Sequence, residues 1–76
     1  MGKIKRKALA KVLLDMFADE FTKARRRTMK NKPDEAFAHI YATQIIKDIS
    51  FEIGMCPPDF WDTEIRILRQ LHMEDE

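Results

Sequence analysis

Nucleophilic chemistry has little to draw on in this chain. Ser50 is the single serine, it sits inside the run "KDISFE", and no elbow glycines flank it. A Ser-His-acid site needs such neighbours to hold its hydroxyl on a strained turn. Cys56 is the single cysteine and precedes two prolines. A reactive thiol needs a base and a lowered pKa. His39 and His72 are the histidines available as bases, and no local spacing brings either to Cys56. Cys56 is therefore expected to be a structural or incidental thiol.

Metal and phosphate chemistry are equally short of parts. Glu35 and His39 are four residues apart and share a helical face. They supply two ligands, where zinc takes three or four that include close Cys or His pairs. A solvent-facing pair is the expectation, with His72 a boundary residue. Asp15 and Asp19 are also four apart, as are Asp48 and Glu52. Facing carboxylates hold Mg²⁺ only when several converge inside a bundle, so these acids read as salt-bridged helix surface. Gly2 and Gly54 are too few glycines for a phosphate-cradling loop. The expectation is a non-enzyme with no cofactor, no metal and no small-molecule substrate.

Charge is the stronger signal. The stretch "KARRRTMKNK", residues 23–32, carries six basic side chains in ten positions and no acid. Net charge is +1, but residues 1–32 hold eleven Lys/Arg against three Asp/Glu (+8), and residues 33–76 hold three against ten (−7). One consequence is a nucleic-acid-binding half, in which Lys5, Arg6, Lys7, Lys11, Arg25 and Arg26 neutralise phosphates. The other is two halves that attract each other, within one chain or between two.

Three features favour the second. Arg25, Arg26 and Arg27 are consecutive and fan around a helix, so they cannot all face one strand. No aromatic is interleaved with them to stack on bases. No helix-turn-helix is apparent. The cluster also complements the negative end of a helix dipole. Arg25, Arg26, Arg27 and Lys30 are thus expected to meet carboxylates, on a partner or on the acidic half: Asp48, Glu52, Asp59, Asp62, Glu64 or residues 74–76. The planar guanidinium fork suits that pairing.

The elements that position these residues are marked by sparse punctuation. Pro33 ends a first segment, and "NKPDE" starts a second, with Asn31 as cap and Asp34 and Glu35 in the first turn. Gly54 is a natural helix stop, with Met55 folding back on Ile49. Pro58 and Asp59 open a third segment, with Asp62 reaching back. The pattern predicts helices over about 3–30, 34–53 and 58–73, and no strand.

Each helix has a broad apolar arc. In the second, Phe37, Tyr41, Ile45, Ile49 and Ile53 step by four, with Ala38, Ala42 and Ile46 beside them, and together they are expected to form its core face. Ile40, Gln44 and Phe51 lie off that face, on a second stripe with Lys47. In the third, Phe60, Trp61, Ile65, Ile67, Leu68 and Leu71 cover about half the circumference, so Trp61 is expected in the core, with interface anchor as the alternative. In the first, Leu9, Val12, Leu13 and Met16 form one side and Leu14, Phe17 and Phe21 the other. Only the line Phe17, Phe21, Ala24, Thr28 continues, so the last two turns are expected to project beyond the core. These arcs are wider than a three-helix monomer needs, and a second copy is the simplest cover.

The 76 residues, 45% hydrophobic and 36% charged, suit a single compact helical domain over 1–76. No apolar run approaches the ~20 residues of a membrane span. The start "MGKIKRKALAKVLLDMF" turns from basic to apolar, but Lys11 and Asp15 interrupt it as a signal peptide. The lone cysteine suits a reducing compartment. The expectation is an all-α, three-helix protein with a long N-terminal helix, forming a homodimeric bundle. It would be cytoplasmic, not membrane-bound, and complete from its own start methionine. Its expected function is that of a small non-catalytic regulator or inhibitor binding a protein or nucleoprotein partner, of the kind a phage or mobile element encodes against host machinery. Its contacts would be Arg25, Arg26, Arg27, Lys30, Ile40, Gln44, Phe51 and Trp61. The alternative is nucleic-acid binding by the basic N-terminal helix.

Overall fold

The computed structural model describes the backbone from residue 2 to 75 and the side chains of residues 7–74. Three helices follow in order: α1 (Gly2–Met29), α2 (Pro33–Glu52) and α3 (Pro58–Asp75), with no strand among the described residues. The protein is all-α, and the ends fall within two residues of those read from proline and glycine.

The turns explain where each helix stops. At the end of α1, Asn31 adopts φ 59°. Its N–H donates to the Thr28 carbonyl at 3.0 Å, and the Lys32 N–H donates to the Arg27 carbonyl at 2.8 Å. This is a Schellman ending with asparagine in the left-handed position. Asn31 therefore closes α1 and does not cap α2. Lys32 takes the cap position without a side-chain bond, and Pro33 opens the helix.

The end of α2 repeats the motif with Gly54 at φ 95°. The Gly54 N–H donates to Phe51 O at 3.1 Å, and the Met55 N–H donates to Ser50 O at 3.1 Å. Met55 then packs against the core. At the start of α3, Asp59 and not Asp62 reaches back, accepting the Cys56 N–H at 2.7 Å.

Helix α1 is the centre of the molecule, with α2 antiparallel along one flank and α3 packed on another. Leu13, Phe17, Ile46 and Phe60 form the core, with Leu14, Phe21, Ile53 and Met55 against it. Phe17 meets Phe60 edge-on at 4.9 Å between ring centroids and stacks on Phe21 at 5.4 Å. Helices α2 and α3 touch through side chains: Lys47 Nζ lies 2.9 Å from Glu64 Oε1, and the Phe51 and Phe60 rings are 6.0 Å apart.

The packing of α2 overturns most of the expected core face, of which Ile46 is buried in the core and Ile53 packs against it. Its buried residues are Ala36, Thr43, Ile46 and Ser50. Phe37, Tyr41, Ile45 and Ile49 are exposed, Phe37 at 68%. The reason is volume. Helix α1 already presents Leu13, Phe17 and Phe21, so α2 meets it with one large residue, Ile46, and the small residues Ala36, Thr43 and Ser50, spaced by seven. Facing large and small side chains lets two helices approach closely at interior density.

Two further expectations are corrected. Trp61 is 56% exposed, so it is not a core residue of α3; Phe60, Ile67 and Leu71 are. The last turns of α1 do not project either. Ala24 is buried, and Arg27 and Arg26 reach Glu35 of α2 and Glu74 of α3.

The result is thin and long, 45 × 24 × 17 Å along its principal axes. Its radius of gyration is 13.5 Å, where about 11.4 Å suits a compact chain of this length.

Candidate partner-binding surfaces

The basic cluster resolves into separate contacts. Arg26 Nη2 donates to Glu74 Oε1 and Oε2 at 3.1 and 3.3 Å, tying α1 to the end of α3. Arg27 Nε lies 2.9 Å from Glu35 Oε1, tying α1 to the start of α2. Arg25 is exposed and has no partner among the described residues. With Arg26, Met29, Leu71 and Glu74, Lys30 lines an open depression of about 370 Å³. Of the acids expected to meet the arginines, the C-terminal Glu74 does, while Glu64 pairs with Lys47. Glu35 was expected beside His39. It pairs instead with Arg27, and His39 Nδ1 sits 2.9 Å from Glu20 Oε2, half-buried between α1 and α2.

For nucleic-acid contact, the side chains of Lys5 and Arg6 lie outside the described residues. Lys7 is exposed, and Lys11 pairs with Asp15 at 2.8 Å. Asp19 likewise holds Lys23 at 3.0 Å, and that hydrogen bond raises the Lys23 pKa above its ordinary value. Asp15 and Asp19 are thus salt-bridged helix surface, whereas Asp48 and Glu52, expected to be so too, are exposed with no partner among the described residues.

The apolar candidates gather on one side. Lys47 and Phe51 mark the flank of α2 turned toward α3, through Glu64 and Phe60. At about 100° per residue, Ile40 and Gln44 share that flank. On α3, Trp61, Ile65 and Leu68 follow the side of Glu64, which faces α2. Ile40, Gln44 and Phe51 on that flank of α2, and Trp61 on α3, are all exposed. Ile40 also lines a second hollow of about 320 Å³ with Phe37, Pro33 and Ala36 beside the α1–α2 turn. No family model, no curated protein and no solved structure matches the chain.

The chemistry-bearing residues have other occupations. The Ser50 hydroxyl is fully buried and donates to the Ile46 carbonyl at 2.7 Å. Cys56 is exposed, with its sulfur 4.0 Å from the Gly54 carbonyl. No three described His, Cys, Asp or Glu side chains converge enough to hold a metal ion. None of the described helices is long and apolar enough to cross a membrane.

The opposite face was missed in the sequence. Met16 lies on the flank of α1 that carries Glu20, beside α2 and away from α3; Leu9 and Val12 share it. Ile45 and Ile49 lie on the flank of α2 opposite Lys47 and Phe51. These five are exposed, each between 42% and 51%. The signal that would have found them is the seven-residue spacing of Ala36, Thr43 and Ser50. It marks the true contact line of α2 and leaves the larger apolar row outward.

Proposed function

We propose that this chain is a small non-catalytic regulator or inhibitor that acts as a homodimer by binding a macromolecular partner. The observation that carries it is the set of exposed large apolar side chains on α2 and α3, with Ile40 and Phe51 on one helix and Trp61, Ile65 and Leu68 on the other. Large apolar side chains left exposed in such number mark interaction sites on soluble proteins. Tryptophan is the residue type that most often anchors one. Arg25 and Lys30, at one end of the molecule, add charge that steers an acidic protein partner.

Nucleic-acid binding is the weaker reading. Arg26 and Arg27, which would grip phosphates, are engaged with Glu74 and Glu35. Releasing them would offset some of the phosphate contact, although exposed pairs of this kind contribute only about 0–1 kcal/mol.

The test is capture from host extract by wild type and by Trp61→Ala in parallel, with mobility shifts on DNA and RNA at physiological salt. The expected result is one protein enriched by wild type and lost with the variant, and no nucleic-acid binding tighter than about 1 µM. Tight nucleic-acid binding that strengthens in a Glu35→Gln, Glu74→Gln variant would overturn the protein reading.

A further inference from the structure

The dimer part of that reading leaves open which face a second copy covers. The exposed surface is large enough to hold a contact of standard size. The chain exposes 5905 Å², whereas a compact monomer of 9.0 kDa exposes about 4,900 Å². The excess, about 1,000 Å² per chain, matches the roughly 800 Å² each partner contributes to a standard interface.

The face of the α1–α2 hairpin turned away from α3 has the matching pattern. On α2, Ala38, Ala42, Ile45 and Ile49 step by four, three and four. On α1, Leu9, Val12 and Met16 step by three and four. Both are the spacing of a coiled-coil seam, and both are additional to the seam that joins α1 to α2. Two adjacent helices with such seams on one face form half of a four-helix bundle.

Composition favours a second copy over a foreign partner. This face is aliphatic, as homodimer interface cores are, and Ala38 and Ala42 allow close helix approach. Phe51, Gln44 and Trp61 lie on the other side, with α3, while Tyr41 borders the aliphatic row one turn before Ile45.

Charge favours it as well. Lys23, which also holds Asp19, and Lys30 continue the α1 row beyond Met16, toward the α1–α2 turn. Asp48 and Glu52 flank the α2 row at the opposite end and have no partner among the described residues. A two-fold axis across the helices reverses one copy, because an isologous contact pairs each patch with its own inverse. The acidic end of each chain then lies over the basic end of the other.

We propose that two copies pair through the α1–α2 face opposite α3, burying Leu9, Val12, Met16, Ile45 and Ile49 in an antiparallel four-helix bundle with both α3 helices outside. The inference rests on the homodimer stated above. The full-length chain tests it by sedimentation at about 1–100 µM, a range spanning the affinities of weak and moderate complexes.

The expected result is a wild-type dimer, unchanged by Leu68→Glu on the other face. Ile45→Asp with Ile49→Asp sediments as a monomer. A second pair of variants serves where that one loses its helical signal. Lys23→Glu with Lys30→Glu weakens association about tenfold or more, and adding Asp48→Lys with Glu52→Lys restores it. A wild-type dimer that withstands the Ile45/Ile49 change or the lysine reversal overturns this interface and leaves the dimer standing. A wild-type monomer across the range overturns both.

Discussion

Ser50 and Lys47 show how single residues on α2 set its distance from its neighbours. Ser50 is fully buried against α1, and its hydroxyl is satisfied by the carbonyl one turn back. Its importance is its size. Ser50→Ala should change stability by less than about 1 kcal/mol, because a better helix former replaces one modest hydrogen bond. Ser50→Leu should cost about 1–3 kcal/mol by forcing the helices apart. Urea unfolding of the two variants checks the contrast. Lys47 acts on the other flank. Its ammonium lies 5.2 and 5.7 Å from the Phe17 and Phe60 ring centroids and 2.9 Å from Glu64. Lys47→Met keeps the apolar stem and loses both attractions, so a loss of about 1–2 kcal/mol is expected in the same titration.

At the scale of elements, the two Schellman endings are what make three helices of one helical sequence. Asn31 and Gly54 hold left-handed backbone, at φ 59° and 95°. A side chain with a β-carbon pays about 1–2 kcal/mol there, and a β-branched one more. Gly54→Ala and Asn31→Val should therefore each lower the thermal midpoint, while Asn31→Gly should be neutral or stabilising. Circular dichroism melts check the ordering. Proline, glycine and the cluster around Asn31 made these stops legible in the sequence, because a turn depends on its own few residues. The orientation of α2 was not legible in the same way. Its row Phe37, Tyr41, Ile45, Ile49 is the more hydrophobic, yet the row Ala36, Thr43, Ser50 is the one buried. Hydrophobicity alone ranks the first row higher; fit against Phe17 and Leu13 selects the second.

The whole molecule is a thin three-helix layer with apolar side chains on both broad faces. Two surfaces of different chemistry suit two different occupants, a second copy on the aliphatic face and a partner on the face with Trp61. Linkage of association to folding makes the first occupant visible without structural data. Raising protein concentration tenfold should raise the melting midpoint of a dimer by about 4 °C, and that of a monomer not at all. The Ile45→Asp, Ile49→Asp variant should lose the concentration dependence. Added salt should weaken association as well, since Lys23, Lys30, Asp48 and Glu52 are exposed at the rim of the face.

The sequence by itself determined the helical class, the two stops, the division into a basic and an acidic half, and an apolar surplus that three helices cannot hide. Each of these is a local or compositional property: helical periodicity, turn geometry and charge are carried by residues close together in the chain. Only the tertiary structure decided which side of α2 turned inward, that Trp61 stands outside, and that Arg26 and Arg27 reach Glu74 and Glu35. Those outcomes depend on the volume and reach of side chains between eight and forty-eight positions away, since Arg27 and Glu35 are eight apart and Arg26 and Glu74 forty-eight. Shape complementarity between helices is a property of the pair, and no periodicity within one helix contains it.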